Sequence, residues 1–293
     1  HRIDCAFSST HFGRRFSIPL LTWIPDFQHL HLQEMFPLPE AQWRSREYSE
    51  IANHADRVIL SSRSAVRDFE RFAPHAARKA RRLPFVAQIP AGTYAQDPAW
   101  ICDRYYLPRR FVYLPNQFWK HKNHKTVVEA LAYAVKRRPD VGIVCTGSTY
   151  DHRDPLYFAR LLESVSVSGV RDNLILLGFV PHTHVFLLMR QSLAVLQPSL
   201  FEGWSTTVEE AKSLGKRMIL SDIAVHREQD PPQALFFDPY EPRALADHLV
   251  TVFDETRPGP DQELEGRARK QLPGRTLEFG QTFMDIVEEV AAT

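Results

Sequence analysis

The sequence predicts an α/β protein of two domains, each built on a parallel sheet, and three observations predict it. Short apolar runs alternate with longer helical patterns along most of the chain. Several of those runs are continuously apolar, as in parallel strands covered on both faces. The length, 293 residues, suits two domains of about 150 residues each. Strand–helix alternation of this kind threads a parallel sheet through crossover helices.

Taken in order, the expected strands are Ile3–Phe7, Leu20–Ile24, Val58–Ser61, Phe111–Leu114, Gly142–Thr146, Leu174–Leu177, Ala194–Gln197, Met218–Ser221 and Ala234–Phe237. Helical patterns lie between them at His124–Arg138, Pro155–Ser166, Thr207–Leu214 and Pro242–Asp254. An amphipathic helix is expected at Leu277–Val290, after a Pro/Gly break at Pro273-Gly274. The stretch Pro90–Pro108 is rich in breakers and marks a boundary. The expected organisation is therefore a first domain over 1–98, a second over 99–275, and a final helix over 276–293 that crosses back to the first. The chain starts at His1 and enters a strand-like run almost at once, so the first domain is expected to be incomplete, with its true N-terminal portion outside this sequence.

Composition narrows the classes of function. Hydrophobic residues make up 44% and charged residues 24% of the chain, ordinary values for a globular protein with a sizeable core. The 36 basic and 35 acidic side chains nearly balance, which disfavours nucleic acid as a partner. The scattered cysteines Cys5, Cys102 and Cys145 form no disulfide framework and fit a reducing, cytoplasmic setting. No apolar run reaches the length of a membrane span, and no signal-peptide pattern is read. The basic cluster Arg78, Lys79, Arg81 and Arg82 is read as a solvated helix end or, alternatively, as a peripheral contact with an anionic membrane face.

The segment that carries chemistry is QPSLFEGWSTTVEEAKSLGKRMILSD, residues 197–222. A strand ends at Pro198, a loop follows, and a helix starts near Thr207. Ligands of open α/β sheets bind at the carboxyl ends of strands. Thr206 is a good N-cap, with Glu209 placed to complete a capping box. The amide groups at that helix start form a ready phosphate site. Glu202 in the loop and Glu210 in the expected first helical turn flank it, and a carboxylate, which only accepts, suits sugar and ribose hydroxyls. For Glu210, complementing the helix dipole stands as the other reading.

This segment resembles the signature of the retaining glycosyltransferases of family four, whose fold is called GT-B: two Rossmann-like domains facing across a cleft. The matching residues are Pro198-Ser199, Phe201-Glu202-Gly203 and Glu210, with GKRMILSD and FFDP downstream. The resemblance implies transfer of a sugar, with retention, from a nucleoside diphosphate sugar (UDP- or GDP-linked) to a hydroxyl on a glycan, a lipid-linked or a small-molecule acceptor. It implies no separate cofactor and no metal. It places Glu210 on the ribose, Glu202 beside the donor sugar, and Gly203, Ser205, Thr206 and Thr207 around the phosphates. The family often has Gly-Leu-Pro where this chain has Ser205-Thr206-Thr207.

In PNQFWKHKNHKTVVEAL, residues 115–131, Lys122 matches a family lysine that touches the diphosphate, while Gln117 stands where the family usually has arginine. After the strand at 174–177, Phe179 and Val180 match positions whose backbone reads the nucleobase. In WIPDFQHLHL, residues 23–32, Asp26 matches the acid of a family His-Asp pair, Pro25 stands in place of the histidine, and His29 is the candidate substitute near the donor sugar. The pairs His29/His31 and His182/His184 have a spacing that suits metal on a strand, yet no cysteine or carboxylate set completes either. Two alternatives stay open: a GT-B relative with other chemistry, such as a nucleotide-sugar epimerase or sugar phosphorylase, and a non-catalytic nucleotide-sugar-binding subunit.

Overall fold

Leu20, Leu21 and Thr22 are almost wholly buried, as expected of a strand covered on both faces, and they belong to the first of two parallel sheets. The computed structural model describes residues 3–13 and 17–291. It divides into unit 1, comprising His1–Val86, Phe201–Ser205 and Pro273–Thr293, and unit 2, comprising Ala87–Leu200 and Thr206–Leu272.

The sheet of unit 1 has strands β1 (Ala6–Ser8), β2 (Leu20–Trp23), β3 (Arg57–Leu60) and β4 (Ala80–Arg82), ordered β1-β2-β3-β4 and parallel throughout. Helices α1 (Gln28–His31), α2 (Leu38–His54) and α3 (Arg63–Phe72) connect them. The two-residue period of β3 sorts its side chains. Val58 and Leu60 join Ile51, Ala52, Ala65 and Phe69 in one layer, whereas Ile59 joins Leu21, Leu83, Ile286 and Val290 in the other. Ser62 caps α3, its Oγ accepting from the Ala65 amide at 3.0 Å.

The basic cluster is a helix end only in part: Arg78 and Lys79 close a 3-10 turn, Pro74–Lys79, whereas Arg81 and Arg82 stand on strand β4. Arg81 and Arg57 both pair with Glu289, and together they hold its carboxyl down to about 2. Lys79 Nζ donates to the carbonyls of Ala52 and Asn53 at 2.8 and 3.2 Å, at the end of α2. An edge strand rich in cations carries no apolar pattern, which is why the cluster does not look like a strand in sequence.

In unit 2, the short helices α4 (Gly92–Ala95) and α5 (Trp100–Tyr105) occupy the breaker-rich stretch. The alternation then runs β5 (Val112–Pro115), α6 (His124–Arg137), β6 (Ile143–Thr146), α7 (Tyr157–Val167) and β7 (Leu174–Leu176). It continues through α8 (His182–Gln191), β8 (Ala194–Gln197), α9 (Thr206–Ser213), β9 (Met218–Ser221), α10 (Ala224–Gln229), β10 (Leu235–Phe237) and α11 (Pro242–Glu255). The six strands lie in the order β10-β9-β8-β5-β6-β7, parallel throughout. Helices cover both faces: Val112 and Leu114 of β5 enter the layer with α6 and α11, and Tyr113 enters the layer with α8 and α9.

A last helix, α12 (Gln262–Ala291), runs without interruption through Pro273. The expected break at Pro273-Gly274 is therefore absent. A proline inside a helix removes one amide donor, and the helix nonetheless continues across both Pro273 and Gly274. Among the described residues no helix is long and apolar enough to cross a membrane.

Candidate functional site

The chain of unit 2 first builds β5, β6 and β7 toward one edge and then returns to place β8, β9 and β10 on the other side of β5. At such a switch point the crossover connections diverge and leave a crevice at the carboxyl ends of the strands. A cavity of about 260 Å³ lies there. Pro115, Asn116 and Gln117 come from the end of β5, Thr146 and Gly147 from the end of β6, Phe179, Val180, His182 and Val185 from the β7–α8 connection, and Glu210 from α9.

Four residues singled out in the sequence, Gln117, Phe179, Val180 and Glu210, thus line one cavity. The carboxyl of Glu210 is 12% exposed and lies 3.3 Å from Nε2 of His182. Burial raises it above the usual carboxylate range, and the His182 hydrogen bond opposes that rise. The side-chain carbonyl of Gln117 accepts from the Ser148 amide. That contact leaves the carboxamide NH2, a donor group, as the end able to meet an anion.

Gly147 forms a wall of the cavity and is under a backbone constraint. Its φ is +133°, and a Cβ there would stand 2.3 Å from the Asn116 carbonyl oxygen. Gly147→Ala is expected to destabilise by roughly 2–5 kcal/mol, from conformational strain plus backbone displacement. A melting temperature equal to that of wild type would show that the wall yields without cost.

Lys122 ends a single 3-10 turn, Lys120–Lys122, between β5 and α6. The turn is tied to the strand ends from both sides. The Leu200 amide donates to the His121 carbonyl at 2.9 Å, and Asn123 Nδ2 donates to the carbonyls of Pro198 and Pro239 at 3.1 and 2.9 Å. Asn123 adopts the left-handed region with φ +58°, a conformation asparagine tolerates better than most residues. Lys122 is therefore carried on a braced turn at the carboxyl side of β5 and β8.

Helix α9 starts at Thr206, one residue earlier than expected. The N-cap position thus falls on Ser205, and the expected capping box of Thr206 and Glu209 is out of register. Glu209 is instead buried, with Oε1 3.1 Å from Nε2 of Gln229, and Glu210 opens the second turn. Thr206 is exposed and Thr207 half-buried at the helix start, whereas Ser205 is fully buried, so its hydroxyl does not present to a ligand.

The remaining predicted residues belong to unit 1. Gly203 sits tight against the turn after β2, where an added Cβ would fall 2.1 Å from the Pro25 carbonyl oxygen and 2.9 Å from Asp26 Cβ. Glu202 and Asp26 are thereby held in one neighbourhood of this unit. The loop is anchored on either side by a ring contact between Phe201 and His31 at 5.0 Å and by Trp204 Nε1 donating to the Phe85 carbonyl at 3.0 Å. Asp26 Oδ1 accepts from Arg44 Nη2 at 2.6 Å and from the Gln28 amide at 2.8 Å. His29 does not take the role of a sugar-facing base. It is 2% exposed, lies against Phe27, Phe36 and Tyr48, and bonds Ser45 Oγ at 3.1 Å.

Comparison with known proteins agrees with this architecture. Residues 106–271, more than half of the chain, match the family described as glycosyl transferases group 1. The chain belongs to that family. It is 22% identical over 253 residues to the alpha-D-kanosaminyltransferase of Streptomyces kanamyceticus, a match covering 83% of this chain and 63% of that enzyme. The chain therefore spans less than two thirds of that relative's length. Among solved structures it resembles the sucrose-phosphate synthase of Thermosynechococcus elongatus, with a TM-score of 0.74, 18% identity and coverage of 94% of this chain and 69% of that one. It also resembles Anabaena HepE in complex with UDP, with a TM-score of 0.69, 16% identity and coverage of 92% and 72%. The α/β fold with two parallel sheets expected from sequence is the fold shared with these proteins.

Several residues around the cavity of this group 1 chain escape a reading by sequence. Asn116, Thr146, Gly147 and Val185 line it but carry no spacing signal of their own. His182 stood out only as half of a histidine pair. Its partner His184 instead bonds the Tyr105 hydroxyl at 2.7 Å, with its ring at the edge of Trp100. Among the described residues no group of three or more histidine, cysteine or acidic side chains is arranged to hold a metal.

Two buried histidines make stability sensitive to acid. Burial lowers His29 to about 4 and His124 to about 3, and neither Nδ1 of His29 nor either ring nitrogen of His124 has a partner among the described residues. Between those values and the ordinary histidine range near 6.5 the unfolded chain binds protons that the folded chain does not, so their contribution is fully present above that range and is lost as pH falls toward 4. Urea midpoints are expected to drop between pH 7 and 4.5, and to drop less in His124→Leu. An equal drop in both proteins would remove His124 from this account.

Proposed function

We propose that this protein is a retaining glycosyltransferase that moves a sugar from a nucleoside diphosphate sugar to a hydroxyl acceptor without a resident metal. The observation that carries the reading is the switch-point cavity, where the buried Glu210 carboxylate meets the backbone turn at Phe179 and Val180 and the amide of Gln117. A carboxylate that only accepts suits the ribose diol. The backbone after β7 suits the edge of a base. Lys122 and the amides at the start of α9 suit the diphosphate.

In this reading Lys122 and Gln117 stabilise the charge that develops on the leaving diphosphate, which is the task a metal performs elsewhere. Glu202, with Asp26 nearby, holds hydroxyls of the donor sugar while an oxocarbenium-like centre forms. Thr206 and Thr207 add donors beside the phosphates. Retention follows if the acceptor attacks from the face the diphosphate leaves. UDP is the first nucleotide to test, because HepE has been solved with UDP and with UDP-glucose. The acceptor class is a glycan, a lipid-linked sugar or a small molecule.

A thermal-shift panel of UDP, GDP, ADP, TDP and CMP on the wild-type chain and on Glu210→Ala tests the reading. One diphosphate is expected to raise the melting temperature selectively, and Glu210→Ala is expected to lose that rise. No rise with any of the five would overturn it.

A further inference from the structure

His182 is the histidine that the cavity brings to Glu210. It stands at the first position of α8, with Pro181 before it in extended conformation. Proline fixes the approach of the chain, and the first helical position points the side chain back over the turn that precedes it. The ring is further set by Phe186 one turn on, at a centroid distance of 4.6 Å. The result is an imidazole with 71% of its side chain exposed, lining the cavity, and its Nε2 3.3 Å from Oε1 of a nearly buried carboxylate.

That asymmetry is informative. A buried carboxylate needs donors to stay ionised. The groups that face Glu210 are His182 from α8 and the Tyr113 phenol from β5, and Tyr113, wholly buried, is held neutral and bonds Thr146 Oγ1 at 2.7 Å. Burial works against ionisation of Glu210, and His182 is the partner that works for it. The carboxylate keeps further lone pairs on both oxygens for a diol while one oxygen is engaged.

We propose that His182 is a positioning residue whose imidazole holds the Glu210 carboxylate ionised and turned into the cavity, where it receives the 2′ and 3′ hydroxyls of a bound ribose. This rests on the nucleotide reading of the cavity. It adds a residue that contacts neither sugar nor phosphate and tunes affinity through Glu210 alone.

The test uses whichever of UDP, GDP or ADP binds the wild-type chain, together with its 2′,3′-dideoxy form, measured by calorimetry from pH 5 to 8. His182→Ala is expected to weaken the ribonucleotide about tenfold near neutral pH, the effect of losing one hydrogen bond to a charged group. Wild-type affinity is expected to fall as acid protonates Glu210, and in His182→Ala that fall begins at higher pH, because the contact that favours the ionised form is gone. His182→Gln, whose amide also donates, is expected to recover most of the affinity. The loss should vanish on the dideoxynucleotide and in a Glu210→Gln background. A tenfold loss that persists on the dideoxynucleotide would place His182 on the base or phosphate and overturn the proposal. Unchanged affinity in His182→Ala would overturn it as well. Failure of the wild-type chain to bind any of the three would overturn this inference, and failure to bind any of the five nucleotides of the thermal-shift panel would overturn the nucleotide reading with it.

Discussion

Lys122→Ala is expected to lower sugar transfer by roughly a hundredfold to a thousandfold while leaving the melting temperature near that of wild type. In the proposed reading it removes one preorganised charge from the place where the leaving diphosphate gains negative charge. The turn that carries Lys122 is held by backbone bonds and by Asn123, and these remain in the variant. Glu202→Ala is expected to fall as far, because the proposed reading gives its carboxylate the donor-sugar hydroxyls, held more tightly as the transition state forms. Release of the nucleoside diphosphate measures both. The control is Lys125→Ala, whose exposed ammonium sits 3.7 Å from Glu129 on the outer face of α6 and whose rate should match wild type. Wild-type rates in Lys122→Ala and Glu202→Ala would remove both residues from the site.

Arg190→Ala is expected to cost about 3–5 kcal/mol of stability, the range for stripping one partner from a buried ion pair. Arg190, with 4% of its side chain exposed, meets Glu265 through Nε at 2.7 Å and Nη2 at 3.1 Å. Its Nη1 donates to the carbonyls of Thr93 and Gln96 at 2.7 and 2.6 Å. One guanidinium thus joins α8 to α4 and to the first turns of α12. Truncation leaves a buried carboxylate without its cation and takes a donor from the carbonyls of Thr93, Tyr94 and Gln96. Arg190→Lys should be nearly as damaging, since an ammonium cannot reproduce the planar fork. Arg190→Met with Glu265→Leu should recover much of the loss, because the uncompensated charge is gone. A melting temperature for Arg190→Ala within about a degree of wild type would contradict this account.

The strands show how much of the fold was legible. β8 and β9 match their expected spans to the residue, since each is a short, wholly buried apolar run with a clear stop. β4 was missed because an edge strand made of Ala80, Arg81 and Arg82 has no apolar run to detect, and its stability comes from neighbours and from Glu289, 208 residues away from Arg81. The uninterrupted course of α12 was missed for a related reason: Pro273-Gly274 is a local stop signal, and the long helix continues through it.

The site divides along the same line. Gln117, Phe179 and Val180 were singled out by resemblance to the family, and Glu210 by that resemblance and its place early in a helix; the parallel sheet brings all four to one cavity, because the ends of its strands lie side by side. His29 was misplaced because spacing along the chain says nothing about which side of a turn is covered by aromatic rings. His182 was overlooked because its partner Glu210 is 28 residues away in another element.

By itself the sequence determined that the chain is α/β, where most strands begin and end, and which motif carries the signature of glycosyl transferases group 1. The first two reside in local pattern, in runs of apolar residues, their period and the breakers between them; the third rests on resemblance to a family. The tertiary structure alone decided which polar groups share a cavity, that Glu210 is buried against His182, that His29 is sealed in a core, and that Arg81 is neutralised by Glu289. Strand order and burial set those outcomes, because they bring together residues remote in sequence and change the cost of charge at each of them.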